Sequence, residues 1–215
     1  DPITLNADNK WTTTVDNLVP GYTYSVVETS GDDRYDVTYK VNNTANNSAD
    51  LTKHMVWSSN AGEGTLDATI TNTLKTVSLQ HLISVRKNLT GREWKDSDQF
   101  SFTLEAEDNA PLPARCKNQQ PCTVTVKRNS TDYTESFGNI TYNADNADNA
   151  EYTYYVTETP GKIAALHYSQ AKYRVVVSVS GNAGTWGAAV KSVTKVLDDN
   201  GNTVSELQDD INKPV

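Results

Sequence analysis

One eight-residue pattern occurs twice in the chain, as Tyr22-Thr23-Tyr24-Ser25-Val26-Val27-Glu28-Thr29 and as Tyr152-Thr153-Tyr154-Tyr155-Val156-Thr157-Glu158-Thr159. Both copies read Y-T-Y-x-V-x-E-T, and a glycine follows each copy two residues later. Because alternate side chains of a strand share a face, each copy predicts a strand whose aromatic and aliphatic face ends in a carboxylate. A buried carboxylate without a partner is costly, so the recurrence at Glu28 and Glu158 indicates a role.

The repeated strand predicts two domains in this chain of 215 residues. Apolar residues alternate along short segments between polar turns, and no apolar 3.6-residue period persists over several helical turns. Thr, Val and Tyr are abundant, whereas there are only three Phe and one Met, which is typical of many short, half-exposed strands. The sequence therefore predicts an all-β chain of two tandem sandwich-like domains, over residues 1–75 and 76–215.

Charge and composition exclude several classes of partner. The net charge is −8, so nucleic acid and anionic membranes are not expected to bind. No apolar run approaches the roughly 18 residues of a membrane-spanning helix, so we expect no membrane span in this chain. The three histidines are scattered, and residues 143–149 lack the glycine of a calcium-binding loop. We therefore expect neither a metal ion nor a cofactor.

The two cysteines, Cys116 and Cys122, lie close together with Pro121 between them. A metal site would require further Cys or His residues nearby. A disulfide that closes a small loop on an exported protein is therefore favoured, and two free thiols are the alternative.

Polar residues occupy inward positions of several predicted strands. Alternation from Ile83 to Leu89 places Lys87 on the inward face, and alternation along residues 66–73 places Asn72 among apolar side chains. A desolvated lysine loses its proton readily and becomes a nucleophile. A desolvated glutamic acid keeps its proton and can polarise the carbonyl of an asparagine side chain. Attack on that side chain expels ammonia and leaves an amide bond between two strands.

The predicted roles follow for each domain. In the second domain Lys87 is the nucleophile and Glu158 the proton shuttle, while in the first domain Glu28 is the shuttle and Asn72 the acceptor. The alternatives are a buried Lys–Glu ion pair and strand-end residues that reach water.

These residues resemble two known families. Ala68-Thr69-Ile70-Thr71-Asn72-Thr73, together with the first repeat copy, resembles the closing strand and E-box of CnaB-type domains in Gram-positive pilins and adhesin stalks. Residues 85–95 and 100–104 resemble the opening of the streptococcal pilin isopeptide-linkage domain, and the second copy is similar to its E-box. The resemblance covers nearly the whole chain. It implies reverse-immunoglobulin sandwiches, a spontaneous Lys–Asn isopeptide bond and a structural role on the bacterial surface.

The chain departs from these families at two places. The first domain lacks the opening strand that would carry its lysine, since Lys10 lies in a turn and Lys40 on an unsuitable strand. Either residue 1 falls inside the domain, or a strand donated by another molecule fills the gap. At the other end Asn212 is the candidate acceptor for Lys87, although Asp210 shares its face. The alternative is an acceptor beyond Val215.

The leading functional hypothesis is a structural stalk or pilin segment of an extracellular bacterial surface protein, anchored to the cell wall through parts outside this chain. Its partners would be neighbouring domains or subunits. It is not expected to be a turnover enzyme, because the cross-linking reaction consumes its own residues. The alternative is an adhesin module that binds host matrix or glycan through its long loops, 42–62 and 107–122. Trp57 is a candidate contact for such a ligand, although packing of Trp57 under its loop is favoured. A hydrolase has little support, because no histidine lies near Ser or Cys in a triad-like arrangement.

Overall fold

The computed structural model describes residues 2–19, 22–29, 31–41, 47–50, 54–58, 68–79, 83–117, 121–144, 150–164, 166–182 and 185–215. These residues form antiparallel β-sheets with two short 3-10 helices, Ala114–Cys116 and Thr131–Tyr133. No helix in this part of the chain has the length and apolarity needed to span a membrane. The predicted all-β, sandwich-type fold is confirmed.

The chain divides into two compact units, Asp1–Thr73 and Leu74–Val215. Strands of the first unit are β1 Thr23–Val26, β2 Tyr35–Val41, β3 Asn47–Asp50, β4 His54–Ser58 and β5 Ala68–Leu74. They form one sheet in the order β1-β4-β3 and a two-stranded pair of β2 with β5. The first repeat copy thus supplies β1, and the strand with Asn72 is β5.

The asparagines of segment 42–62 predict a continuous loop, but the structure contains two strands there. Strands β3 and β4 lie within it, and β4 pairs antiparallel with both β3 and β1. Asn47 of β3 pairs with Trp57 of β4, so backbone pairing outweighs the low strand propensity of asparagine, which depends strongly on context. The other residues of this segment, and the side chain of Trp57, lie outside the described part of the structure.

Strands of the second unit are β6 Thr76–Ser78, β7 Ser84–Arg86, β8 Gln99–Ala106, β9 Cys122–Lys127, β10 Thr134–Ser136, β11 Thr141–Asn143, β12 Ala150–Thr159, β13 Lys172–Asn182, β14 Thr185–Leu197 and β15 Thr203–Asp209. Six of them form an antiparallel sheet in the order β15-β14-β13-β12-β8-β9, and β7 pairs with β10 and β6 with β11. The second repeat copy is therefore part of β12, at the centre of the sheet.

The core of the second unit lies between the six-stranded sheet and the shorter strand pairs. Alternate residues of β8, β9, β12 and β13 point into it and are buried, as the two-residue period of a strand requires. They meet buried side chains from β7, β11 and the adjoining segments in one continuous cluster, which includes Ile83, Val85, Phe137, Ile140 and Tyr142. This packing fixes the strands that carry the candidate site.

A partly buried ion pair holds the turn between β7 and β8. The guanidinium of Arg92 donates to both carboxylate oxygens of Asp98, at 2.7 and 2.9 Å, and the Lys95 amide donates to the same carboxylate at 2.8 Å. These hydrogen bonds, with that from Arg92 as the largest cause, hold the pKa of Asp98 at about 2. Trp94, within the same turn, stacks on Tyr133 with ring centroids 4.6 Å apart. These contacts therefore fix the backbone of the turn that follows Lys87.

Candidate functional site

Lys87 follows directly after β7 and continues its inward face. Ile83 and Val85 are 3% and 0% exposed, and the Lys87 side chain, two residues further on, is 11% exposed. The Lys87 amide donates to the Tyr133 carbonyl at 3.0 Å, which keeps this residue aligned beyond the end of the strand. Because the backbone stays extended, the lysine points into the unit.

Glu158 lies on the inward face of β12, in line with the buried residues Tyr154 and Val156. It is opposite Phe102 of β8 in the antiparallel register. Its side chain is only 2% exposed. The repeated pattern therefore does place its carboxylate at the end of an apolar face.

The structure brings Lys87 and Glu158 together. The Lys87 Nζ lies 2.7 Å from Glu158 Oε1 and 2.8 Å from Oε2, and it sits 4.7 Å from the centroid of the Phe100 ring. The Ser169 amide also donates to Glu158 Oε2, at 2.8 Å. Two charges buried this deeply are costly unless they are paired, and at this distance a proton can pass directly between amine and carboxylate.

A cavity of about 190 Å³ lies beside this pair. Its lining includes Lys87, Glu158, Tyr173 and, from the last residues of the chain, Val215. The cavity therefore provides space next to the lysine amine in which a further side chain can be accommodated.

Val215 pairs with β7 in parallel register. Its amide donates to the Ser84 carbonyl and its carbonyl accepts from the Arg86 amide, both at 2.9 Å, which places Val215 level with Val85. Asn212 lies in an exposed turn instead, where its amide donates to Asp210 Oδ1 at 3.0 Å. The structure thus brings Val215, and not the predicted acceptor Asn212, to the cavity beside Lys87 and Glu158.

The first unit brings Glu28 and Asn72 together as well. The Asn72 Nδ2 donates to Glu28 Oε1 at 2.9 Å, and the Glu28 amide donates to the hydroxyl of the buried Tyr39 at 3.1 Å. The other oxygen, Glu28 Oε2, is buried and has no hydrogen-bond partner among the described residues. Lys40, on β2, is exposed. In this unit the predicted shuttle and the predicted acceptor are therefore adjacent, although Asn72 is exposed rather than inward-facing. Within the described ranges no lysine forms an ion pair with Glu28.

The structure contains the Cys116–Cys122 disulfide. Both cysteines are buried, at 2% and 0% exposure, and the bond joins the end of the 3-10 helix Ala114–Cys116 to the start of β9. The preferred interpretation of the cysteine spacing is therefore correct.

Sequence reasoning did not identify Ser169 as part of the site. It contributes through its backbone N–H, which every residue except proline possesses, so its side-chain identity gives no signal. Only the position of residue 169, eleven residues after Glu158 and just before β13, connects it to the repeat.

Comparison with known proteins assigns the family. The family model described as FctA, a Spy0128-like isopeptide-containing domain, matches residues 83–207, which is more than half of the chain. No curated protein matches the chain. The matched region contains Lys87, Glu158 and both cysteines, whereas the first unit lies outside it, and its CnaB-type assignment stays a prediction. The chain thus belongs to the FctA family of Spy0128-like, isopeptide-containing pilin domains, which are structural, non-enzymatic parts of extracellular surface proteins.

Proposed function

We propose that the chain is a structural segment of a bacterial surface stalk or pilus, closed in its second unit by an amide bond between Lys87 and an asparagine. The buried Lys87–Glu158 pair beside a cavity is the observation that carries this proposal. A pair kept only for charge compensation would need no space beside the amine. We further propose that the segment acts through neighbouring domains or subunits, and that parts outside this chain anchor it to the cell wall.

The chemistry needs only groups of this chain. The Lys87 ammonium transfers a proton to Glu158, and the neutral amine attacks the carbon of an asparagine side-chain amide. The protonated Glu158 donates to the oxygen of that amide and stabilises the charge that develops there. The carbon–nitrogen bond of the asparagine amide then breaks. The departing nitrogen takes one proton from the attacking amine and the proton held by Glu158, and it leaves as ammonium. A lysine–asparagine amide remains, and Glu158 returns to its carboxylate.

The strand register indicates where the acceptor belongs. Val215 lies level with Val85, so a residue two positions after Val215 would lie level with Lys87 and on the same face. Asn212 precedes Val215 by three positions and would reach Lys87 only if the last turn shifted along β7. We therefore propose that the acceptor is an asparagine in the continuation of this strand, and that Asn212 remains the second candidate.

Intact mass tests this bond. A chain with asparagine two positions after Val215 is expected to weigh about 17 Da less than its disulfide-bonded sequence, because amide formation by the amine expels one ammonia. Lys87→Ala and Glu158→Ala should each abolish the loss, whereas Asn212→Ala should leave it unchanged. Lys172→Ala is the matched control, since this lysine also faces a carboxylate, Glu105, but on the exposed side of the sheet. A chain whose intact mass at equilibrium equals that of its disulfide-bonded sequence would refute the proposed bond.

For the first unit we propose that a lysine-bearing strand from outside the described residues completes the site. Glu28 Oε2, which is buried and has no hydrogen-bond partner among the described residues, is placed to accept from an ammonium group. Large apolar side chains are also exposed throughout residues 2–27 of this unit, namely Ile3, Leu5, Trp11, Val15, Leu18, Val19, Tyr22, Val26 and Val27. An apolar strand with one lysine would cover such a surface and supply the missing charge.

A synthetic strand tests this second proposal. An alternating apolar peptide with one lysine is expected to join the chain covalently, giving the summed mass less about one ammonia. Asn72→Ala should prevent the adduct, and so should replacement of the peptide lysine by arginine. If Asn72→Ala still forms the adduct, the acceptor assignment is wrong. If the peptide never reacts, the donated strand is wrong.

A further inference from the structure

We propose that Ser169, itself held by Asp199, positions the carboxylate of Glu158 and decides which of its two oxygens receives the proton from Lys87. The role of Glu158 as proton shuttle comes from the proposed function, so this inference rests on it. Ser169 is a positioning residue, because it acts on the reacting groups only through Glu158.

The two oxygens of Glu158 have different surroundings. Oε2 accepts from the Ser169 amide and from Lys87 Nζ, both at 2.8 Å. Oε1 lies 2.7 Å from Lys87 Nζ but accepts no hydrogen bond from the described residues. Because the Ser169 amide already donates to Oε2, Oε1 is the oxygen that remains available to take a proton. In the transfer an N–H bond of the ammonium breaks, an O–H bond forms at Oε1, and the electron pair stays on Nζ.

Asp199 fixes Ser169 in this position. The Ser169 hydroxyl donates to Asp199 Oδ1 at 2.6 Å and accepts from the Ala171 amide at 3.1 Å. The Gln170 amide donates to the Asp199 carbonyl at 3.1 Å. Asp199 belongs to the turn between β14 and β15, whose shape is set by Asp198 accepting from the Asn200 and Asn202 amides. A turn far along the sequence is thereby tied to the amide that contacts Glu158.

The glycine that follows the second repeat copy supports the same arrangement. A Cβ atom at Gly161 would collide with the hydroxyl group of Tyr168, which accepts from the Ile163 amide at 3.3 Å. A side chain at this position would therefore have to displace the Tyr168 ring. The corresponding Gly31 of the first copy has no atom within 4 Å of such a Cβ, so close packing does not explain it there.

The amide proton at position 169 reports the contact directly, in the chain as it exists. We expect a downfield amide resonance with slow hydrogen exchange, which Glu158→Ala should move upfield and speed up. Ser169→Ala should speed exchange at this amide by about tenfold, since the ties to Asp199 and Ala171 are lost. Ser169→Thr keeps a hydroxyl and should restore the protection. Ser136→Ala is the matched control, because the Ser136 hydroxyl likewise accepts from an amide two residues later, that of Gly138.

The rate of ammonia loss gives the functional result. In a chain that forms the bond, Ser169→Ala should slow the loss of ammonia about tenfold, because the ties that hold Ser169 to Asp199 and Ala171 are lost. Ser169→Thr should restore the rate. A tenfold change in rate is equivalent to about one hydrogen bond in the transition state. Unchanged amide exchange in Glu158→Ala, or an unchanged rate in Ser169→Ala, would overturn the positioning role. If the amide behaves as expected but no variant or wild-type chain ever loses ammonia, the proposed cross-link fails while the contact of Ser169 with Glu158 stands.

Discussion

Replacing Glu158 by alanine is expected to lower the free energy of unfolding of the second unit by about 3–5 kcal/mol in chains without a cross-link. The substitution leaves the Lys87 ammonium buried at 11% exposure without the carboxylate that compensates its charge. Urea unfolding followed by tryptophan fluorescence measures the change, since Trp94 and Trp186 both pack against the core of this unit. Intact mass of the same samples shows whether any cross-link is present.

Two further variants test whether the stability lost in Glu158→Ala comes from leaving a buried charge without its partner. Glu105→Ala removes an exposed carboxylate that lies 3.9 Å from Lys172, and it is expected to change the unfolding free energy by no more than about 0.5 kcal/mol. The double variant Lys87→Met with Glu158→Leu removes both buried charges and is expected to recover most of the stability lost in Glu158→Ala. A loss below about 1 kcal/mol in Glu158→Ala would show that Lys87 reaches water and that the pair is not a desolvated site.

Replacing Cys116 and Cys122 together by alanine is expected to lower the free energy of unfolding by about 2 kcal/mol, because the small loop is no longer closed in the unfolded chain. Both side chains are also buried, Cys116 at the end of the 3-10 helix Ala114–Cys116 and Cys122 at the start of β9, the edge strand of the six-stranded sheet. Thermal or urea unfolding with and without reductant measures the effect. Reductant should destabilise the wild-type chain by a similar amount and leave the double variant unchanged. Equal stability of the oxidised wild type and the double variant would contradict the expectation.

The parts of the site that could be predicted are those governed by local periodicity. Alternation along single strands predicts that Lys87, Glu158 and Asn72 point inward. The structure buries Lys87 and Glu158 as a pair, whereas Asn72 is exposed and contacts Glu28 from the surface. A strand has a period of two residues wherever it lies in a sheet, so this inference needs no knowledge of neighbours. The fold class follows from the same alternation and from the turn residues between strands.

The features of the fold and the site that could not be predicted depend on contacts between residues that are distant in sequence. The parallel pairing of Val215 with Val85 is set by packing of the whole unit, and no local pattern distinguishes it from a trailing end. Asn212 lies in a turn because Asp210 accepts from its amide, a local hydrogen bond that competes with strand extension. The strands β3 and β4 likewise depend on pairing with each other and on the pairing of β4 with β1, which the asparagine-rich composition does not indicate.

Parallel pairing at Val85 determines how the second unit responds when its two ends are pulled apart. The chain enters β7 at Ser84 from one end, whereas residues after Val215 would leave at the opposite end of the same strand pair. Such a pull acts along the strands and loads the hydrogen bonds between them in shear, so that they must fail together. An antiparallel hairpin pulled from its open end would instead unzip one bond at a time. Strand β6, which precedes β7 and pairs with β11, also lies on the path of mechanical load, whereas most of the six-stranded sheet lies outside that path.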